Sequence, residues 1–248
     1  LVGHVGHGDV GALEEQFHGE VAGRAGTGGG VRHLARPRLQ VGDELRERLA
    51  ASRLYVVTDA REDKHDLPAF LDAILGAGAD IVQLREKNAE AGDVIRWARV
   101  FRKAADKHGA LFTINDRADV ALACEADGLH VGQHDLPSQW ARRIVGPDMI
   151  LGLSCHSPGD HDNFPSEVDY VTAGPVWPTP TKPDREATGL ELVTRAAHKV
   201  KLPWFAIGGI DGANVRQVVR AGGRRIVVVR AVTEADLGHS ATSMETPG

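Results

Sequence analysis

A (β/α)8 barrel is the fold class this sequence predicts, on three observations. Eight short apolar runs recur along the chain, each of a length that suits a strand buried on both faces. Segments with apolar residues at helical spacing lie between them. The residues best able to carry charge chemistry sit where the runs end: Ile81-Val82-Gln83-Leu84 leads into Arg85-Glu86-Lys87, Leu111-Phe112-Thr113-Ile114 into Asn115-Asp116-Arg117, and Leu129-His130-Val131 into Gly132-Gln133-His134-Asp135. Likewise Ile150 to Leu153 ends at Ser154, Phe205-Ala206-Ile207 at Gly208-Gly209, and Ile226 to Val229 at Arg230. In such a barrel these ends converge on one face, where enzymes of this fold place their active sites.

The elements follow in order. Leu54 to Thr58 is the first strand and Leu67 to Leu75 the first barrel helix, with Pro68 suited to a helical first turn. Ile81 to Leu84 is the second strand, and Val94, Trp97, Ala98, Phe101 and Ala105 mark the buried stripe of the longest helix. The third unit pairs Leu111–Ile114 with Ala118–Cys124, the fourth Gly128–Val131 with Pro137–Val145. Met149–Leu153 is the fifth strand, followed by a segment from Ser157 to Pro165 that allows only a short helix. Tyr170–Ala173 is the sixth, separated by a long loop, Gly174 to Gly189, from a helix over Leu190–Lys199. Trp204–Ile207 with Asn214–Ala221 makes the seventh unit, and Arg225–Val229 the eighth strand. The eighth helix is incomplete: after Ala231 to Asp236 the tail from Leu237 has too few apolar residues for an amphipathic helix. The closing seam is therefore expected to lie partly uncovered or to be covered by another chain, since exposed apolar surface costs roughly 25 cal/mol per Å². A homo-oligomer stays open on this ground.

With 248 residues the chain is long enough for one large core. A net charge of −5 gives no support for nucleic-acid or anionic-membrane binding, and no apolar stretch approaches a membrane span. Cys124 and Cys155 are the only cysteines, so a reducing, cytoplasmic setting is expected rather than a disulfide framework. Residues 1–41 are rich in Gly and His without periodicity and begin with Leu1. They are expected to be a disordered extension or sequence upstream of the true start, with 42–236 as the barrel, Glu44–Ala51 a leading helix and 237–248 an irregular tail.

Gln83, Arg85 and Lys87 alternate along extended backbone, so all three can face one way. Two cations and an amide suit a phosphate or pyrophosphate; an ordinary solvated strand end is the competing reading. Asp116 and Asp135 follow neighbouring strands, about 5 Å apart, and suit one hard divalent cation such as Mg²⁺. Against this, Asp116 is also placed to cap the helix that follows. His130, His134, Cys155 and His156 lack the spacing of a zinc site. The loop Gly174-Pro175-Val176-Trp177-Pro178-Thr179-Pro180-Thr181-Lys182-Pro183 is stiffened by four prolines and presents two hydroxyls and an ammonium. Gly208-Gly209 permits close backbone approach and precedes a helix whose first amides would attract an anion.

Taken together, Gln83-Leu84-Arg85-Glu86-Lys87, Asn115-Asp116-Arg117, Gly132-Gln133 through Asp135, Thr179-Pro180-Thr181-Lys182 and Ile207-Gly208-Gly209 resemble the thiamine-phosphate synthase family, over Arg53 to about Asp236. The resemblance implies joining of a hydroxymethylpyrimidine diphosphate to a thiazole phosphate with release of pyrophosphate. It implies that Gln83, Leu84, Arg85, Glu86, Lys87, Asn115, Ser154 and Lys182 hold the pyrimidine diphosphate and that Asp116 and Asp135 hold Mg²⁺. Thr179, Pro180, Thr181, Gly209, Val229 and Arg230 would surround the thiazole phosphate, and Arg85, Lys87, Ser154 and Lys182 would carry the catalytic work. Two departures stand out: Arg230 occupies a position where many members carry Ser, and the usual final helix is missing. A thiazole tautomerase of the same fold, or a barrel that binds these precursors without turning them over, are the alternatives.

Overall fold

Eight parallel strands pair in chain order and close on themselves as a barrel. The structure, a computed structural model, describes residues 41–180 and 185–233. The strands are β1 Leu54–Thr58, β2 Ile81–Leu84, β3 Leu111–Asn115, β4 Gly128–Val131, β5 Ile150–Cys155, β6 Tyr170–Ala173, β7 Trp204–Ile207 and β8 Ile226–Val228. The helices among the described residues are α1 Val41–Ala51, α2 Leu67–Gly76, α3 Ala91–His108, α4 Ala118–Ala123, α5 Ser138–Val145, α6 Pro158–Asp162, α7 Gly189–Lys199, α8 Val215–Arg220 and α9 Arg230–Thr233. All the predicted strands form. β3 and β5 run on through Asn115 and Cys155, because pairing with β4 and β6 continues past the apolar run.

Alternation along each strand sorts the core into two layers. Leu54, Val56, Val82, Phe112, Leu129, Leu151, Val171, Ala206, Ile226 and Val228 face outward against the helices. Tyr55, Val57, Ile81, Leu111, Ile150, Tyr170, Phe205 and Val227 fill the barrel interior together with Leu49 of α1. The leading helix thus begins at Val41, three residues before the predicted Glu44, and closes the barrel floor.

The floor repeats one electrostatic device. Asp80, just before β2, accepts the Leu54 amide of β1 at 2.9 Å; Asp127, before β4, accepts the Phe112 amide of β3 at 2.7 Å; Asp169, before β6, accepts the Leu151 amide of β5 at 2.8 Å. Each carboxylate thereby satisfies a strand-end N–H that would otherwise lie unpaired near the core. Asp169 also pairs with Arg46 and Arg142 at 2.7 and 2.6 Å. Before β8 the matching residue is Arg225, which instead donates to the Ala50 carbonyl at 2.5 Å.

At the closing seam, the expectation of exposed apolar surface does not hold. Leu54, Val56, Ile226 and Val228 are buried in one cluster with Phe70, Leu71, Val218 and Val232. Arg61 and Lys64, between β1 and α2, both donate to the Thr233 carbonyl at 3.0 Å. Arg61 is itself buried, gripped by both oxygens of Asp66 at 2.7 Å and lying 3.9 Å from the centre of the Phe70 ring. The last described turn of α9 is thus clamped by the first loop. The predicted extension, residues 234–236 and the tail fall outside the described residues.

Removing the Asp169 carboxylate orphans one strand amide and takes the carboxylate from Arg46 and Arg142, which keep only their backbone carbonyl partners. Asp169→Ala is expected to lose about 3 kcal/mol, lowering the thermal midpoint by about 6–12 °C for a domain of this size. Thermal unfolding followed by circular dichroism checks it.

Candidate active site

β2 hands over to its loop with its alternation intact. Gln83, Arg85 and Lys87 all line a cavity at the C-terminal mouth of the barrel. Leu84 and Glu86 point the other way. Leu84 is buried in the outer layer, and the Glu86 carboxylate accepts the Ala60 amide at 2.7 Å, tying the second loop to the first. Three of these five predicted ligands thus face the cavity and two hold the scaffold. Among the described residues Arg85 has no carboxylate partner, so its guanidinium fork is available to an anion.

Asp116 and Asp135 meet in the same cavity. The Lys87 ammonium sits between them, 3.1 Å from Asp116 Oδ2 and 3.9 Å from Asp135 Oδ1. Burial first, and the neighbouring Asp135 carboxylate second, raise the Asp116 carboxyl above the usual range despite that lysine. The other Asp135 oxygen accepts the Gly132 amide at 2.9 Å, which fixes its aim. Capping is not what Asp116 does: α4 begins at Ala118, and the residue at its cap position is Arg117. Instead Asp116 has φ +62 and is bridged by a 2.7 Å bond from the Arg117 amide to the Asn115 carbonyl. A side chain held in the left-handed region where β3 ends is a strained conformation, of the kind found at working sites. Two hard oxygen donors set around an existing positive charge fit a small divalent cation completed by water and phosphate oxygens.

Beneath the charges lies a neutral floor. Gln83 Nε2 donates to the Tyr55 hydroxyl at 2.5 Å; that oxygen lies 2.7 Å from Thr113 Oγ1 and 3.1 Å from the Tyr170 hydroxyl. His130 continues the chain, with Nδ1 3.0 Å from Tyr170 Oη and Nε2 3.0 Å from Ser154 Oγ. Gln133 Nε2 donates to the Ser154 carbonyl at 2.8 Å. Gly152 makes room for this network, since a Cβ there would enter the Tyr170 ring. Asn115 Nδ2 is buried without a hydrogen-bond partner among the described residues, a donor left over for a ligand.

A second cavity of about 370 Å³ adjoins the first and shares Ile207, Val227 and Val229 with it. Thr179, Gly209, Arg230 and His156 line it, whereas Pro180 does not. Gly208 and Gly209 have φ +104 and +65, and a side chain on either would strike Pro175 or Trp177. The helix predicted after them from Asn214 forms as α8 from Val215, and Asp211 Oδ1 accepts the Ala213 and Asn214 amides just before it at 2.9 and 3.2 Å. Thr181 and Lys182 lie outside the described residues.

A family model described as "Thiamine monophosphate synthase" matches residues 54–232. The chain belongs to this family. It is 54% identical over 190 residues to the thiamine-phosphate synthase of Acidothermus cellulolyticus, covering 75% of this chain and 90% of that one. Against the thiamine-phosphate synthase of Streptomyces avermitilis it is 52% identical over 197 residues, covering 78% and 92%. Among solved structures, thiamine phosphate pyrophosphorylase from Pyrococcus furiosus matches with a TM-score of 0.68 at 36% identity, over 78% of this chain and 91% of that one.

Residues to which sequence reasoning gave no part in the substrate site now stand in the family's barrel mouth: Tyr55, Thr172 and His130 in the first cavity, His156 and Asp211 in the second, the two histidines having been weighed only as zinc ligands. One signal could have found the first three, a polar side chain at an inward position of an otherwise apolar strand. The zinc alternative gains nothing: His130 is spent on Ser154 and Tyr170, and His156 Nδ1 lies 2.5 Å from the Gly174 carbonyl. Among the described residues no helix is long and apolar enough to cross a membrane.

The chain has two tyrosines, both fully buried here. Burial pushes the Tyr55 phenol up to about 12, and the Tyr170 phenol well above its ordinary value. Unfolded tyrosines ionise near pH 10, so the folded state loses stability as pH climbs from about 10 toward 12. Phenolate absorbance is expected to stay absent at about pH 10.5 and to rise only with unfolding. A spectrophotometric titration run beside circular dichroism checks it.

Proposed function

We infer that the protein condenses 4-amino-2-methyl-5-hydroxymethylpyrimidine diphosphate with thiazole phosphate, giving thiamine phosphate and pyrophosphate. Family membership supplies the reaction class, and one observation carries the reading for this chain. Two cavities stand side by side across a shared wall of Ile207, Val227 and Val229. One is lined by cations, carboxylates and amides, the other by Thr179, Gly209 and Arg230. Such a pair suits two phosphorylated substrates held with their reacting ends together.

The bond between the pyrimidine methylene carbon and its diphosphate oxygen breaks, and the electron pair leaves on pyrophosphate. The cation that remains is stabilised by the pyrimidine ring, and the thiazole nitrogen lone pair closes the new carbon–nitrogen bond. This route needs no protein nucleophile. Asp116 and Asp135 would hold Mg²⁺, which when bound would supply positive charge favouring departure of the diphosphate. Arg85 and Lys87 bind the departing oxygens, where charge grows during the step. Asn115 Nδ2 and the Ser154 hydroxyl, the latter set by His130, orient the pyrimidine diphosphate. Thr179, Gly209, Val229 and Arg230 seat the thiazole phosphate. For Lys182 and Thr181 the same roles rest on the family motif. The apolar shared wall keeps water from the cationic carbon, which would otherwise be hydrolysed. A cytoplasmic setting is supported by Cys124 and Cys155, both unpaired and one of them buried.

Incubating purified protein with both substrates and Mg²⁺ is expected to yield thiamine phosphate and pyrophosphate in equal amounts. Isomerised thiazole alone, or binding without product, would overturn the reading. Asp116→Ala is expected to lower turnover at least about a hundredfold, roughly 2.7 kcal/mol of transition-state stabilisation; steady-state rates measured at saturating Mg²⁺ check it.

A further inference from the structure

We propose that Lys87 is a resident counter-ion that occupies the two-carboxylate site of the empty protein and yields it to divalent metal only when a diphosphate arrives. The inference rests on the reading of Asp116 and Asp135 as metal ligands.

The geometry carries it. The Lys87 ammonium lies 3.1 and 3.9 Å from one oxygen of each carboxylate, in the place a bridging cation would take. The side chains of Asp116 and Asp135 are 22% and 28% exposed, so their charges are poorly screened by water. A second cation cannot share those oxygens at such distances without strong repulsion. Lys87 itself is 46% exposed, on a flexible four-carbon stem, and among the described residues its ammonium contacts these two carboxylates alone. Its backbone is steadier, because the neighbouring Glu86 is anchored on Ala60. The side chain can therefore swing while its root stays put.

The same cavity holds Arg85 and the donor left over on Asn115, so a diphosphate drawn there brings new acceptors within reach of Lys87. Turning to those oxygens, the ammonium frees both carboxylates at the moment the anion also offers oxygens to a metal. Metal and diphosphate then strengthen each other's binding by the same factor. Part of that coupling comes from direct contact between metal and phosphate, as it would in any protein. The part that belongs to Lys87 has a different signature: deleting the lysine strengthens metal binding when no diphosphate is present. Direct contact alone predicts no such gain.

Mn²⁺ binding to the purified protein, followed by the paramagnetic resonance of the free ion, separates the two. Lys87→Met and Lys87→Gln are compared with the unaltered protein, each with and without inorganic pyrophosphate. Both variants are expected to bind Mn²⁺ at least about tenfold tighter in the absence of pyrophosphate, and the gain in affinity that pyrophosphate brings is expected to shrink. Equal or weaker binding by both variants without pyrophosphate overturns the proposal. Failure of the unaltered protein and both variants to bind Mn²⁺ even with pyrophosphate overturns the metal assignment itself, and the proposal with it. Two substitutions at a half-exposed position keep the comparison open if one of them misfolds, and activity is not part of the readout.

Discussion

Pairing of Leu54, Tyr55 and Val56 with Ile226, Val227 and Val228 closes the sheet, and every other property of the molecule depends on that closure. Closure removes both sheet edges and fixes which side chain of each strand looks inward. Shift β8 by one residue against β1 and Val227 would turn outward, breaking the apolar wall between the two cavities. Closure also brings Tyr55 of β1 within 3.1 Å of Tyr170 of β6, joining the two halves of the polar floor under the charges. The clamp of Arg61 and Lys64 on the Thr233 carbonyl of α9 holds this seam.

Above the floor the site is an electrostatic compromise. Burial first, and the neighbouring Asp135 carboxylate second, hold the Asp116 carboxyl above its ordinary range. The left-handed backbone at Asp116 adds a conformational cost, set by the turn that aims its side chain away from α4. Rigid surroundings sustain both: the Gly132 amide holds Asp135, and β3 pairs with β4 up to Asn115 and His130. Arg85 and the Asn115 amide are left with capacity for a ligand, whereas the two acids already share the Lys87 ammonium. The site is therefore prepared for an anion more completely than for a metal.

Much of the barrel was legible because a strand buried on both faces must be apolar throughout, and Ile81-Val82 or Ile226-Val227-Val228 admits little else. Strand ends were less legible. Asn115, Ser154 and Cys155 go on pairing after the apolar signal has stopped, since a backbone ladder is indifferent to side-chain polarity. The alternation of Gln83, Arg85 and Lys87 could be read directly, and it also explains why Leu84 and Glu86, carried into the site by family motif, face away. The Tyr55–Tyr170–His130–Ser154 chain joins residues from β1, β6, β4 and β5, and no local pattern encodes contacts that exist only after closure. For Asp116, capping a helix and facing a cation were equally consistent with the sequence. A turn one residue longer decided between them.

The run of floor carboxylates stops at Arg225. Asp80, Asp127 and Asp169 staple β1 to β2, β3 to β4 and β5 to β6, so three quarters of the barrel carry a lock at the end opposite the chemistry. The quarter made by β7 and β8 has no such lock, and β8 is the shortest strand. That quarter also carries Gly208, Gly209 and Arg230 at its mouth. Local opening in a folded domain begins where anchoring is thinnest. The second cavity is therefore bounded by the least anchored quarter of the floor, whereas the strands that bring Gln83, Asn115, His130 and Ser154 into the charged cavity are all stapled.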